Sequence, residues 1–229
     1  MSLGVKTAQG IQRIHSVHVK CDYPVTFLKS IKSLGNSIIV TDIVPQNDWT
    51  LTADIKMGDA VSSTCDMLIS AYSYTNNTLS GIFNAQFGTN NILSIYIGQP
   101  WSASGSYAIQ DINSEYGKMQ TLTMRRGAGK SIFGAKSVQI TTAETLQSPT
   151  LSLAIGGKHH NSGGVETVVP FTVREVTIYG VKLYDGEGVM IHNLVPAQAR
   201  AGGRAGLYDI ITGAFYPSDP NYDDFIKGV

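Results

Sequence analysis

Apolar and polar residues alternate over short stretches of this chain and almost nowhere recur with helical spacing. In Thr50-Leu-Thr-Ala-Asp-Ile-Lys-Met57, Leu51, Ala53, Ile55 and Met57 fall on one face, with Asp54 and Lys56 on the other. That period of two belongs to a half-buried strand. Gln120-Thr-Leu-Thr-Met124 repeats it with Leu122 and Met124. Between Phe171 and Tyr184 the phase breaks: Val176 and Ile178 are out of step with Val181 and Leu183, which predicts a bulge or bend at Gly180. Further strands are expected at residues 67–74, 82–87, 92–97, 137–141 and 151–155, rich in Val, Ile, Tyr and Thr. The turns between them are explicit. Asn76-Asn77, Thr89-Asn90-Asn91, Asp185-Gly186-Glu187-Gly188 and Thr212-Gly213 offer residues that tolerate positive φ. About ten or more short strands punctuated in this way predict an all-β antiparallel sandwich.

Two stretches stand apart. Residues 1–24 carry Lys6, Arg13, His15, His18 and Lys20 with Ile11, Ile14, Val17 and Val19 in no clean period, and end at Pro24. They are expected to form an N-terminal arm that pairs with another chain, or else an edge strand, ahead of a sandwich over residues 25–229. Residues 98–118 are rich in Ser and Gly and carry Trp101, Tyr107 and Tyr116, the composition of a recognition loop.

Composition narrows the function. Charged residues make up 15% of the 229, seventeen basic balanced by seventeen acidic, so neither nucleic-acid binding nor a disordered chain is expected. No apolar run approaches the ~20 residues of a membrane span. Met1-Ser-Leu-Gly-Val-Lys-Thr-Ala lacks the apolar core of a secretion signal, so the expectation is synthesis and assembly in the cytoplasm. The two cysteines, Cys21 and Cys65, are too few for a disulfide scaffold and are expected to be buried thiols.

The C-terminal third carries a recognisable pattern. Ile178-Tyr-Gly-Val-Lys-Leu-Tyr-Asp-Gly-Glu-Gly-Val-Met-Ile-His-Asn-Leu-Val-Pro196 is followed by Gly203-Arg-Ala-Gly-Leu-Tyr-Asp-Ile-Ile-Thr-Gly-Ala-Phe-Tyr216. This resembles the closing segment of concanavalin-like, laminin-G-like jelly-roll domains of gut bacteria and their bacteriophages. Phe27-Leu-Lys-Ser-Ile-Lys-Ser-Leu-Gly-Asn-Ser-Ile-Ile-Val-Thr-Asp-Ile-Val-Pro45 resembles the family's opening strand pair, although Ile39-Val-Thr-Asp42 replaces its aromatic-rich core. The resemblance implies a jelly-roll sandwich, in which Leu207 is buried, Tyr208 is anchored by its hydroxyl, and Phe215 and Tyr216 close the core. It also implies carbohydrate binding and adhesion, or a part of a phage virion.

Enzymatic chemistry is not expected. Retaining glycosidases need two carboxylates about 5–5.5 Å apart, and no Glu has such a partner on a predicted strand; Asp185 and Glu187 have the spacing but sit in a turn. Arg125-Arg-Gly-Ala-Gly-Lys-Ser131 lacks the first glycine of a P-loop, which would fall at Met124, and is expected to be a basic hairpin turn. His159-His160, between glycine pairs, is expected in a polar recognition loop or an exposed loop, with a metal site the lesser alternative. Calcium occurs in laminin-G-like domains, but Asp219, Asp223 and Asp224 lack a calcium-loop register and are expected in a solvated tail. Neither catalytic residues nor a metal or cofactor is assigned.

Sugars stack on exposed aromatic faces and bond through neighbouring amides and carboxylates. Trp101, Tyr107, Tyr74 and Asn76 are the candidate ligand-binding residues, and Trp49, which opens a strand, is expected in the core. The expected function is non-enzymatic: a bacteriophage virion component (head fibre, capsid decoration or tail-fibre subunit) presenting a lectin-like jelly roll to host-surface glycan. It would be a homo-oligomer, contacting itself or other virion subunits through residues 1–24. The alternative is a free-standing carbohydrate-binding module at a bacterial surface or secreted; a glycoside hydrolase is a distant third.

Overall fold

The computed structural model describes residues 5–7, 10–12, 23–46, 48–58, 66–75, 78–87, 91–97, 106–125, 127–141, 150–162, 165–170, 175–200 and 202–228. In chain order the strands are β1 (Val5–Thr7), β2 (Gly10–Gln12), β3 (Val25–Phe27), β4 (Ser30–Ser33), β5 (Ile39–Val40), β6 (Thr50–Met57) and β7 (Asp66–Thr75). Then follow β8 (Thr78–Phe87), β9 (Leu93–Ile97), β10 (Ser106–Ile109), β11 (Met119–Arg125), β12 (Gly129–Phe133), β13 (Lys136–Ile140) and β14 (Ala154–Ile155). The last are β15 (Gly157–Ser162), β16 (Val165–Pro170), β17 (Val176–Tyr184), β18 (Met190–Ala199), β19 (Ala205–Asp209), β20 (Phe215–Pro217) and β21 (Ile226–Gly228).

These strands make an all-β protein of two large antiparallel sheets. One runs β13-β12-β11-β6-β17-β18-β19-β20, with β3 on β18, β4 on β17 and β21 on β4. The other runs β10-β9-β8-β7-β14-β5. Their inner faces meet in one core: Leu51, Ile55, Leu122, Phe133, Val181 and Leu183 from the first pack with Ile69, Ala85, Phe87, Leu93 and Ile95 from the second. Phe87 and Phe133, both fully buried, pack edge to face at 5.3 Å between ring centres. Each such side chain stabilises by about 1.5–3 kcal/mol on burial, so this layer holds the sheets together.

The alternation in β6 is realised without exception: Leu51, Ala53, Ile55 and Met57 are buried and the residues between them are half-buried. On the outer face the Thr121 hydroxyl donates to Asp54 Oδ1 at 2.6 Å across the paired strands. The break in β17 is also where the sequence puts it. The register against β6 shifts between Ile178 and Gly180, and both flanking apolar pairs stay buried. Asn91, Gly188 and Gly213 adopt the positive φ expected of their turns. Asn76 and Asn77 lie outside the described residues, but the residues flanking them, Thr75 and Thr78, are paired. The strands on either side of Gly127 and Ala128, β11 and β12, pair antiparallel, and Arg126 lies outside the described residues.

Several elements differ from the sequence pattern. Only Ala154–Ile155 of residues 151–155 is strand. Part of the supposed loop 98–118 is strand β10, followed by a single 3-10 turn at Ile112–Glu115. His159 and His160 belong to β15, paired with β16, and not to an exposed loop; His159 is buried. The segment after β20 is no solvated tail. Asp224 Oδ1 accepts from the Ala205 and Phe225 amides and the Ser218 hydroxyl, and Arg204 donates to the carbonyls of Ser218, Asp219 and Tyr222. Within residues 1–24, β1 and β2 pair antiparallel as a separate two-stranded sheet; Cys21 and Cys65 lie outside the described residues.

Candidate functional site

The chain leaves β5 through Thr41, whose hydroxyl donates to the Leu153 carbonyl at 2.9 Å and accepts from the Ile43 amide at 3.1 Å. This small turn buries Thr41 and Ile43 and turns Asp42 outward between them. The loop then reaches Asp48, which takes a left-handed φ of 61°, a conformation that Asp tolerates better than most residues. Trp49 follows at the mouth of β6, half-buried and packed against the core.

Opposite, β18 and the β19–β20 hairpin bring in His192, Thr212 and Tyr216. Their organiser is Asp209, at the end of β19 and fully buried. Its Oδ1 accepts from the amides of Asn193 and Ile211, each at 3.0 Å. Its Oδ2 accepts from the Thr212 hydroxyl and from His192 Nδ1, each at 2.8 Å. Gly213, at φ 81°, closes the turn by donating its amide to the Asp209 carbonyl. Tyr216, in β20, is buried, and its hydroxyl donates to Asp42 Oδ1 at 2.5 Å. That bond joins the loop after β5 to β20, and the bridge between Ile39 and Ser218 fastens the same two segments one step away.

Between these groups lies an open pocket of about 390 Å³ lined by Asp42, Ile43, Val44, Gln46, Trp49, His192, Thr212, Ala214 and Tyr216. The Trp49 and His192 rings stand edge to face at 6.2 Å. A carboxylate only accepts hydrogen bonds, so Asp209 fixes the proton of His192 on Nδ1 and leaves Nε2 as the ring nitrogen for a ligand. Burial alone would push the Asp209 carboxyl up, but the bonds from Asn193, His192, Thr212 and Ile211 outweigh it and hold its pKa below the ordinary value. Burial, the bond to Asp42, and the charges of Asp42 and Asp209 push the Tyr216 hydroxyl well above the ordinary range of a phenol. The site therefore combines an aromatic wall, a carboxylate, an amide, two hydroxyls and an imidazole held in one tautomer. This set can stack a ring and bond a polyol.

Of the four residues expected to bind ligand, Tyr107 is the one whose side chain is described, and it is not among the residues lining this pocket. Tyr107 lies in β10, paired with Ile95, and is half-buried against the core. Tyr74 lies in β7, with its side chain outside the described residues. Asn76 and Trp101 also lie outside them. Trp49, expected in the core, packs against it and also lines the pocket. Of the resemblance-derived expectations, Leu207 is buried and Tyr216 joins the main core. Tyr208 is held by its ring, edge to face with Tyr23 and Phe27 at 5.8 Å each. The tethered hydroxyl is that of Tyr216, eight residues on.

Asp185 Oδ1 accepts from the amides of Glu187 and Val189, so this pair of acids shapes a turn. His159 is clasped inside the β15–β16 hairpin, with Nδ1 at 2.9 Å from the Ser152 carbonyl and Nε2 at 2.6 Å from Glu166. The acidic cluster is tied into the fold by protein hydrogen bonds. Asp219 Oδ1 is bonded to the Asn221 amide, Asp223 Oδ2 to the Asn36 side chain, and Asp224 Oδ1 to three donors. Among the described residues no group of three His, Cys, Asp or Glu side chains is placed to hold a metal ion. Among them, too, no helix is long and apolar enough to cross a membrane.

A scan against protein-family models and a search of curated proteins each return no match for the chain.

Proposed function

We propose that this chain is a non-enzymatic carbohydrate-recognition protein of concanavalin-like jelly-roll type, and that the pocket at Trp49 is its glycan site. The observation that carries this reading is the placement of Trp49 beside a carboxylate, an amide, two hydroxyls and a fixed imidazole in one open concavity. An aromatic face gives a pyranose ring its apolar contact, and the polar groups around it give the orientation. The pocket is built on strand ends and a hydrogen-bonded turn, so little ordering entropy remains to oppose binding.

The resemblance of residues 178–216 to jelly-roll domains of gut bacteria and their phages supports placing this module on a virion, as a head fibre, capsid decoration or tail-fibre subunit. The sandwich would display the pocket to host-surface glycan, and residues 1–24 would make the contacts to further subunits. A panel of immobilised saccharides probed with the purified full chain tests the recognition. Binding that free saccharide competes away is expected; a panel with no competed binding would overturn it.

A further inference from the structure

The electrostatics of the pocket select among saccharides; this inference deepens the glycan reading above and rests on it. Asp42 is exposed, and Tyr216 occupies only its Oδ1; Oδ2 has no partner among the described residues. A second carboxylate, Asp209, lies directly behind His192. None of the described residues that line the pocket is Lys or Arg. Two lysines that form ion pairs lie elsewhere: Lys32 on Glu175 and Lys227 on Asp224. The negative field of both carboxylates reaches the cavity, since both contribute to raising the pKa of the Tyr216 hydroxyl. The Trp49 face adds a quadrupole that attracts cations.

We propose that the pocket takes a saccharide bearing a free amine, with the ammonium on Asp42 Oδ2 beside the Trp49 ring, and that it discriminates against acidic sugars. A bound uronate or sulfated sugar would bring a third negative charge among the two already present. A neutral sugar would leave the free carboxylate oxygen to water. A partly exposed ion pair with an aromatic neighbour corresponds to roughly a three- to tenfold gain in affinity.

Calorimetry on the full chain near neutral pH, with oligosaccharides of glucosamine, N-acetylglucosamine and glucuronate, tests this. The amine form is expected to bind roughly three- to tenfold more tightly than its N-acetyl counterpart, and the acidic form most weakly. Asp42→Asn keeps an oxygen acceptor for Tyr216 and removes the charge. It is expected to bring the amine-to-acetyl ratio to about one, whatever it does to both affinities together. Equal or tighter binding of the N-acetyl or acidic form by the unaltered protein would overturn the charge selection and leave the glycan site standing. Absence of binding by all three, with no other saccharide competing on the panel, would remove both.

Discussion

Asp209 and His192 meet at 2.8 Å between the neighbouring strands β19 and β18. The same buried carboxylate also holds the Thr212 hydroxyl and the amides of Asn193 and Ile211. One side chain thus fixes a turn, a strand pair and a pocket residue. Asp209→Ala would leave these donors buried without a partner, so a loss of about 3–5 kcal/mol is expected, measured by urea unfolding. Asp209→Asn keeps one acceptor oxygen and should cost less.

The same residue sets the acid limb of stability. Its folded pKa is depressed below the ordinary 3.8, so its contribution is present above that value and is lost as pH falls through the folded pKa. The midpoint of thermal unfolding should therefore drop below about pH 4, and this part of the drop should be missing in Asp209→Asn. An unchanged acid slope in that variant would contradict the assignment.

Tyr216 acts at the other end of the pH scale. Its hydroxyl is raised far above the ordinary 10.0, so the folded state favours the neutral phenol. The contribution is complete below pH 10 and is lost as pH rises from there toward the folded pKa. Tyr216→Phe should cost about 1–2 kcal/mol at neutral pH. It should also flatten the alkaline fall in stability, as followed by circular dichroism.

Gly206 sits where β19 meets β20, and a β-carbon there would collide with the Tyr216 carbonyl and press on Pro217. Backbone cannot step aside as a flexible side chain can. Gly206→Ala is expected to cost more than about 2 kcal/mol, with loss of the pocket, whereas alanine at exposed Gly188 meets no atom and suffers only its positive φ.

The proposed assembly role has its own test. The full chain is expected to be a symmetric oligomer by light scattering, and the chain lacking residues 1–24 a folded monomer. A monomer in both cases would remove self-assembly through that segment; unfolding on truncation would place the segment in the core.

Much of the fold was legible because strand burial is written locally. The faces of β6 and the shift near Gly180 needed only the order of apolar residues. In the Gly-Leu-Tyr-Asp segment the resemblance points to Tyr208, whereas Asp209 is the organiser. Its partners come from a turn and a neighbouring strand, which no spacing rule encodes. The pocket was hidden for the same reason: Asp42 and Tyr216 are bonded although 174 positions apart. Trp49 opens a buried strand, which points to the core, and it both packs on the core and lines the pocket. The histidine pair misled because the flanking glycines suggested a loop, while Val165-Glu-Thr-Val-Val-Pro170 supplies β15 with a partner strand. Asp42, Trp49 and Thr212 fall at strand ends or turns, while His192 lies within β18, paired with Leu183.

The most direct measurement compares the two tryptophans. Affinity for the saccharide found on the panel would be measured by calorimetry for the unaltered chain, Trp49→Ala and Trp101→Ala, each checked for folding by circular dichroism. The pocket assignment predicts that binding is lost in folded Trp49→Ala and kept in Trp101→Ala. Retained binding in Trp49→Ala, with loss in Trp101→Ala, would contradict it and return the site to residues 98–118.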